Sequence, residues 1–86
     1  MRTDIFLKLA GIFKTRTVAG KACKAGCVLI GGSVVKSSHE ISRGDILEVV
    51  KPDGSILSIE ILDIPSGKQV SRKERSRYFK TVGPEH

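Results

Sequence analysis

Gly26 divides this chain into two stretches with different hydrophobic periods, and any fold must accommodate both. Ahead of it the spacing is helical. Phe6, Leu9, Ala10 and Phe13 predict a helix over Thr3 to Phe13, with Thr3 or Asp4 placed to cap its start and Gly11 to end it. A second helix fits Thr15 to Ala25, capped by Thr15 and closed by Gly26, where a positive φ suits glycine. At about 100° per residue, Val18, Ala19, Ala22, Cys23 and Ala25 fall on one arc of this helix. Arg16, Thr17, Gly20, Lys21 and Lys24 fall on the opposite one. Beyond Gly26 the period becomes that of strands. Val28 to Ile30 and Val34 to Lys36 flank Gly31-Gly32, which reads as a tight hairpin. A strand over Ile46 to Val50 follows the Gly44-Asp45 turn. After a loop over Lys51 to Ser55, Ile56 to Ile64 sets Leu57, Ile59 and Ile61 on one face and Ser58 and Glu60 on the other. The expected class is α+β: two short N-terminal helices packed on a small, twisted antiparallel β-meander.

One domain is expected over residues 1–65. Pro65-Ser66-Gly67 then breaks the pattern, and residues 66–86 hold too few apolar side chains to require burial. They read as a basic, flexible tail that Tyr78 and Phe79 can still dock. With 86 residues the chain buries about 60% of its unfolded surface, so the core is small. There is no Trp, and the four aromatics are Phe6, Phe13, Tyr78 and Phe79, so the core is aliphatic and a base-stacking platform of interleaved aromatics is excluded.

Charge is partitioned along the chain. Residues 1–44 carry eight Lys or Arg and two acids, residues 45–66 one Lys and five acids, and residues 67–86 six basic residues and two acids. No acid occurs between Asp4 and Glu40, whereas a merely solvated helix face would mix Glu with Lys. Basic residues gathered on one half of a small domain are the footprint of a polyanion partner, since each neutralised phosphate releases counterions.

Other chemistries find little support. Cys23 and Cys27 lack the paired ligands of a zinc site, with only His39 and His86 elsewhere, and read as small buried hydrophobes; no metal or cofactor is expected. Asp4 reads as a cap, or as a partner that orients Arg2 or Arg16, rather than an acid catalyst. His39 reads as a turn or surface residue. Gly31-Gly32 is not followed by the Lys-Ser or Lys-Thr of a phosphate-binding nucleotide loop. No apolar run approaches the roughly 20 residues of a membrane span and no signal peptide is evident, so a cytoplasmic protein is expected. No apolar stripe is left over after the core is assigned, which points to a monomer.

Five segments together carry a family resemblance: Arg2-Thr3-Asp4-Ile5-Phe6-Leu7, Lys14-Thr15-Arg16-Thr17-Val18-Ala19, and Gly26-Cys27-Val28-Leu29-Ile30-Gly31-Gly32, then Val34-Val35-Lys36-Ser37-Ser38 and Ile41-Ser42-Arg43-Gly44-Asp45-Ile46-Leu47-Glu48-Val49. In this order, over about residues 1 to 50, they resemble the S4 RNA-binding domain, also called the αL motif. The resemblance implies an RNA-binding surface formed by the start of the first helix, the basic turn into the second and the following β-turn. Carried over residue by residue, it implicates Arg2, Lys14, Arg16, Thr17, Lys36 and Ser38. The helical wheel and the acid-free stripe add Lys21, Lys24 and Lys8. Two departures stand out: Gly31 occupies a turn position usually filled by Asn or Asp, and Thr3 replaces a usual apolar residue.

The domain also occurs as an appendage of RNA-modifying enzymes and tRNA synthetases, but no catalytic constellation accompanies it here, so no enzyme is expected. The plan resembles the small stand-alone members of the family, the heat-shock and ribosome quality-control groups. These members bind ribosomal RNA and tRNA on large ribosomal subunits obstructed by peptidyl-tRNA. The resemblance implies the same partners here, with Arg72, Lys73, Arg75, Arg77 and Lys80 of the tail as a second grip on RNA. Two alternatives are a general structured-RNA or tRNA chaperone, and a regulatory subunit of an RNA-modifying enzyme that docks through the strands between Asp45 and Ser66.

Overall fold

The computed structural model describes residues 1–66 and 70–82. Two helices, α1 (Thr3–Leu9) and α2 (Arg16–Lys24), precede strands β1 (Val28–Ile30), β2 (Ser33–Val34), β3 (Ile46–Val50) and β4 (Ile56–Ile61). A short 3-10 turn, Arg75–Arg77, then leads into β5 (Phe79–Val82). The α+β class is as expected, and the five strands form one antiparallel sheet in the order β2-β1-β3-β4-β5.

α2 forms where the sequence places it. Thr15 accepts a hydrogen bond from the Val18 amide at 3.1 Å, and Gly26, at φ +80°, lets the chain leave the helix. α1 is only seven residues long, too short to persist alone, and tertiary contacts hold it. The N-cap position is Arg2, with no side-chain cap, and of the two expected residues only Asp4 reaches a first-turn amide, that of Ile5. The Thr3 amide donates to the His39 carbonyl at 2.9 Å and the Asp4 amide to the Ser37 carbonyl at 3.2 Å, so a distant segment of backbone satisfies donors that a local side chain was expected to take. The Thr3 hydroxyl donates to the same His39 carbonyl at 2.9 Å, which lets a polar residue sit fully buried at this position.

Gly31 and Gly32 make a two-residue turn between Ile30 and Ser33, both with positive φ, and the hairpin twist requires this. The chain from Val35 to Asp45 then crosses the start of α1 and returns on the other side of β1. β3 therefore pairs with β1 rather than β2, and only β3, β4 and β5 run as a simple meander. The register puts Val28, Leu47, Val49, Ile59 and Ile61 on one face of the sheet. There they join Phe6, Leu7 and Ala10 of α1 and Ala19 and Cys23 of α2 in one buried core. Burial of each large aliphatic side chain contributes roughly 1.5–3 kcal/mol. Val18 and Ala25, assigned from the wheel to the apolar arc, are exposed, because so short a helix meets the core through Ala19, Cys23 and the half-buried Ala22.

The segment read as a flexible tail is corrected over its described part. β5 completes the sheet by pairing with β4, from Ile61 with Phe79 to Ser58 with Val82, and Tyr78 and Phe79 pack against the core. The backbone groups of the β4 edge supply this pairing and need no apolar run in the partner. Positions 67–69 and 83–86 of the expected tail, His86 among them, lie outside the described residues. Among the described residues no helix is long and apolar enough to cross a membrane.

Candidate nucleic-acid interface

Asp4 organises the first part of the site. Its side chain is 5% exposed, and its two oxygens accept three guanidinium hydrogen bonds at 3.2 Å, two from Arg2 and one from Arg16 Nε. Oδ1 also accepts from the Ile5 amide at 2.8 Å. Of the two structural roles that the sequence leaves open for Asp4, the structure shows orientation of the arginines, together with a bond to one first-turn amide of α1. One carboxylate shared by two guanidiniums leaves a net positive charge, and the Arg2 and Arg16 side chains, 39% and 54% exposed, still face solvent. Both forks are thus held in place before any ligand arrives.

The second part is a groove of about 730 Å³ between α2 and the segment from β2 to Ser38. Thr17, Lys21 and Lys24 line one wall and Lys36 and Ser38 the other, and no acid lines it. Five residues singled out separately in the sequence therefore share one concave surface. The fold brings them together because the Ser37 and His39 carbonyls sit on the first amides of α1, which pins the Lys36 to Glu40 loop beside α2. Sequence reasoning passed over Gly20, Val34 and Val35, which also line the groove. For Gly20 a signal existed: it is the one small residue on the basic arc of α2, and a Cβ there would meet nothing within 4 Å.

Lys8 and Lys14 are not part of this groove. They line a separate cleft together with Arg72 and Arg75. Lys73 and Arg77 are exposed. Lys80 lies opposite Glu60 in the β4–β5 register, with its Nζ 3.7 Å from the carboxylate, so a cross-strand ion pair already engages its charge.

Cys23 is buried and packs in the core, while Cys27 is half-buried. Burial, followed by the negative charge of Asp4, pushes the Cys23 thiol above its ordinary value and keeps it protonated, which suits packing rather than nucleophilic or metal chemistry. Among the described residues no three His, Cys, Asp or Glu side chains gather as a metal site. Of the apolar side chains on the Asp45 to Ser66 strands, Leu47, Val49, Ile59 and Ile61 are buried in the core, while Ile46 and Ile56 at the strand starts are exposed, so most of the apolar face read as a surface for docking an enzyme subunit is spent on the protein's own core.

The S4 domain model matches residues 1–47, more than half of the chain, and this span contains the Asp4 cluster and both walls of the groove. The chain belongs to the S4 domain family. A protein of Helicobacter pylori strain J99 named "RQC P-site tRNA stabilizing factor" is 38% identical over 79 residues, covering 92% of this chain and 93% of that protein. A protein of the same name from Halalkalibacterium halodurans is 33% identical over 76 residues, covering 88% and 82%. Among solved structures, that of a hypothetical protein in solution superimposes with a TM-score of 0.84 at 35% identity, over 99% of this chain and 100% of that one. The trimeric structure of Vibrio cholerae Heat Shock Protein 15 gives the same TM-score of 0.84 at 22% identity, over 95% and 81%, a likeness of fold. The S4 match ends within β3, so β4, β5 and the Arg72 to Arg77 segment lie beyond it.

Proposed function

We propose that this protein is a non-enzymatic, cytoplasmic RNA-binding factor of ribosome quality control, which holds tRNA against ribosomal RNA on obstructed large subunits. The observation that supports this most is the convergence of Thr17, Lys21, Lys24, Lys36 and Ser38 on one acid-free groove, in a chain that shares 92% of its length with a relative named for stabilising P-site tRNA. The chemistry of the groove suits a sugar-phosphate backbone. Three ammonium groups act as mobile point charges, the hydroxyl side chains of Thr17, Ser37 and Ser38 can bond phosphate or ribose oxygens, and the neighbouring Arg2 and Arg16 forks offer geometry for bidentate contacts. No aromatic side chain lines the groove, so the readout is of shape and phosphate spacing rather than base stacking. With roughly six phosphates neutralised, log affinity falls with log salt at a slope of about −4 to −5.

Sedimentation of the tagged protein from lysate tests the reading. Comigration with large subunits carrying peptidyl-tRNA, and its loss when Arg16 and Lys21 are both changed to Glu, is the expected result. A peak at the top of the gradient with mixed small RNAs would leave a general RNA chaperone instead.

A further inference from the structure

Where the end of α1 meets the segment leading to β5, Lys8, Lys14, Arg72 and Arg75 line a cleft of about 470 Å³. No acid lines it, and among the described residues none of the four cations is in an ion pair. Four like charges around one concavity repel one another and focus a positive potential into it, and an anion entering the cleft relieves both.

Arg75 gives this cleft a fixed wall. Its guanidinium lies directly over Gly11, where an added Cβ would overlap it, so the absence of a side chain at Gly11 makes the room. Its Nε is buried and, among the described residues, has no hydrogen-bond partner. A basic residue beside the end of a helix has a simpler explanation, which is capping of the last carbonyls. Arg75 does not fit it through Nε, since a capping guanidinium would spend that donor on a carbonyl. The buried Nε and the packing over Gly11 instead fix the plane of the guanidinium, and a fixed plane is what bidentate recognition of a phosphate needs. Lys8, Lys14 and Arg72 are exposed and add mobile charge around it.

We propose that this cleft is a second phosphate site for RNA, distinct from the α2 groove and assembled from both ends of the chain. The two share no lining residue. Half of the cleft's charge comes from Arg72 and Arg75, outside the matched S4 span. The C-terminal segment therefore grips RNA from a folded position rather than as a loose basic tail. The inference rests on the RNA-binding reading above. The phosphodiester comes either from a further turn of the RNA in the groove or from a second RNA molecule.

Titration of the full chain with a short fluorescent RNA duplex, at several salt concentrations, separates the cases. Lys8→Glu with Arg72→Glu is expected to weaken binding about tenfold and to make the salt slope shallower by about two. A fall in stoichiometry from two duplexes to one identifies a second RNA, and an unchanged stoichiometry identifies the same RNA. Arg75→Lys, which keeps the charge and removes the fork, should reproduce part of the loss. The control is Arg43→Glu with Lys51→Glu, the same charge change at exposed positions that line neither the groove nor the cleft. An equal loss in that control, or no loss in the Lys8 and Arg72 variant, overturns the second site while leaving the groove in place. If Arg16→Glu with Lys21→Glu also binds as the parent does, the RNA-binding reading itself fails.

Discussion

Replacing Asp4 by Asn separates two roles of that carboxylate which act in opposite directions on RNA affinity. Asp4 lowers the positive charge of the interface, and it also holds Arg2 and Arg16 in place through three hydrogen bonds at 3.2 Å. Asn at this position is nearly isosteric but neutral, and its amide group faces guanidinium donors. Charge-assisted bonds contribute about 1.5–3 kcal/mol and neutral ones about 0.5–1.5 kcal/mol. Because Arg2 and Arg16 are 39% and 54% exposed, solvent screens the difference, and about 0.5–1 kcal/mol per arginine is a fair allowance. The variant should lose about 1–2 kcal/mol of stability, a fall in Tm of roughly 5–10 °C. For RNA, two arginines that must be ordered on binding cost about 1–3 kcal/mol. One negative charge removed at about 6 Å from a phosphate returns about 0.7 kcal/mol in water. Orientation wins by about 0.3–2.3 kcal/mol, and affinity should fall roughly twofold to fiftyfold. The deficit should widen as salt rises, since salt screens the Coulomb gain and leaves the ordering cost. Fluorescence anisotropy with an RNA hairpin at low and moderate salt reads both effects. Equal or tighter binding at every salt, with an unchanged Tm, would show that Asp4 orients nothing that matters to RNA.

Three further outcomes follow from the core and from α2. Ile59→Asp or Leu47→Asp places an unpaired charge at a position with no exposure, a cost of several kcal/mol against a total stability of about 5–10 kcal/mol, so circular dichroism should show an unfolded chain at room temperature. Gly20→Ala should raise stability by about 0.5–1 kcal/mol, because the added Cβ meets nothing within 4 Å on a helix; a lower denaturant midpoint would mean that the backbone at Gly20 needs glycine. Cys23 has a folded pKa above the ordinary 9.0, so its contribution to stability is complete below that value and is lost as pH climbs through the higher folded one. Denaturant midpoints of the parent should therefore fall relative to Cys23→Ala above about pH 9, and parallel profiles would mean that the thiol is not buried in solution.

What was legible in the sequence was what is settled locally. α2 carries its own cap at Thr15 and its own stop at Gly26, and the β1–β2 turn carries two glycines in the conformation its twist requires. Alternation alone placed Ile59 and Ile61 inside. The start of α1 was misread in part because its first two amides are satisfied by carbonyls at His39 and Ser37, more than 30 residues away, and no side chain announces a backbone acceptor. β5 was missed for a related reason. Composition measures the need of a segment to bury its side chains, whereas β4 offered a row of backbone groups that any extended partner could satisfy. The Leu62 amide, which donates to the Tyr78 carbonyl at 2.8 Å, extends the same pairing beyond the strand.

The candidate interface shows the same division between charge and geometry. Absence of acids over more than 30 residues singled out the cations between Asp4 and Glu40, but it treated them as one stripe. The structure divides them into an arginine pair locked on Asp4, a lysine groove along α2 and a cleft shared with Arg72 and Arg75. Three separate anchors on a body this small impose distances on whatever phosphates they bind, and a uniform basic surface imposes none. A uniform surface holds any polyanion in proportion to its charge, so charge reversals on it would be interchangeable. Here they should not be: reversal at Lys21 should compete with a groove ligand, reversal at Arg72 with a cleft ligand, and Asp4→Asn should weaken binding while raising the net charge. That last sign is the one that a surface without fixed geometry cannot produce.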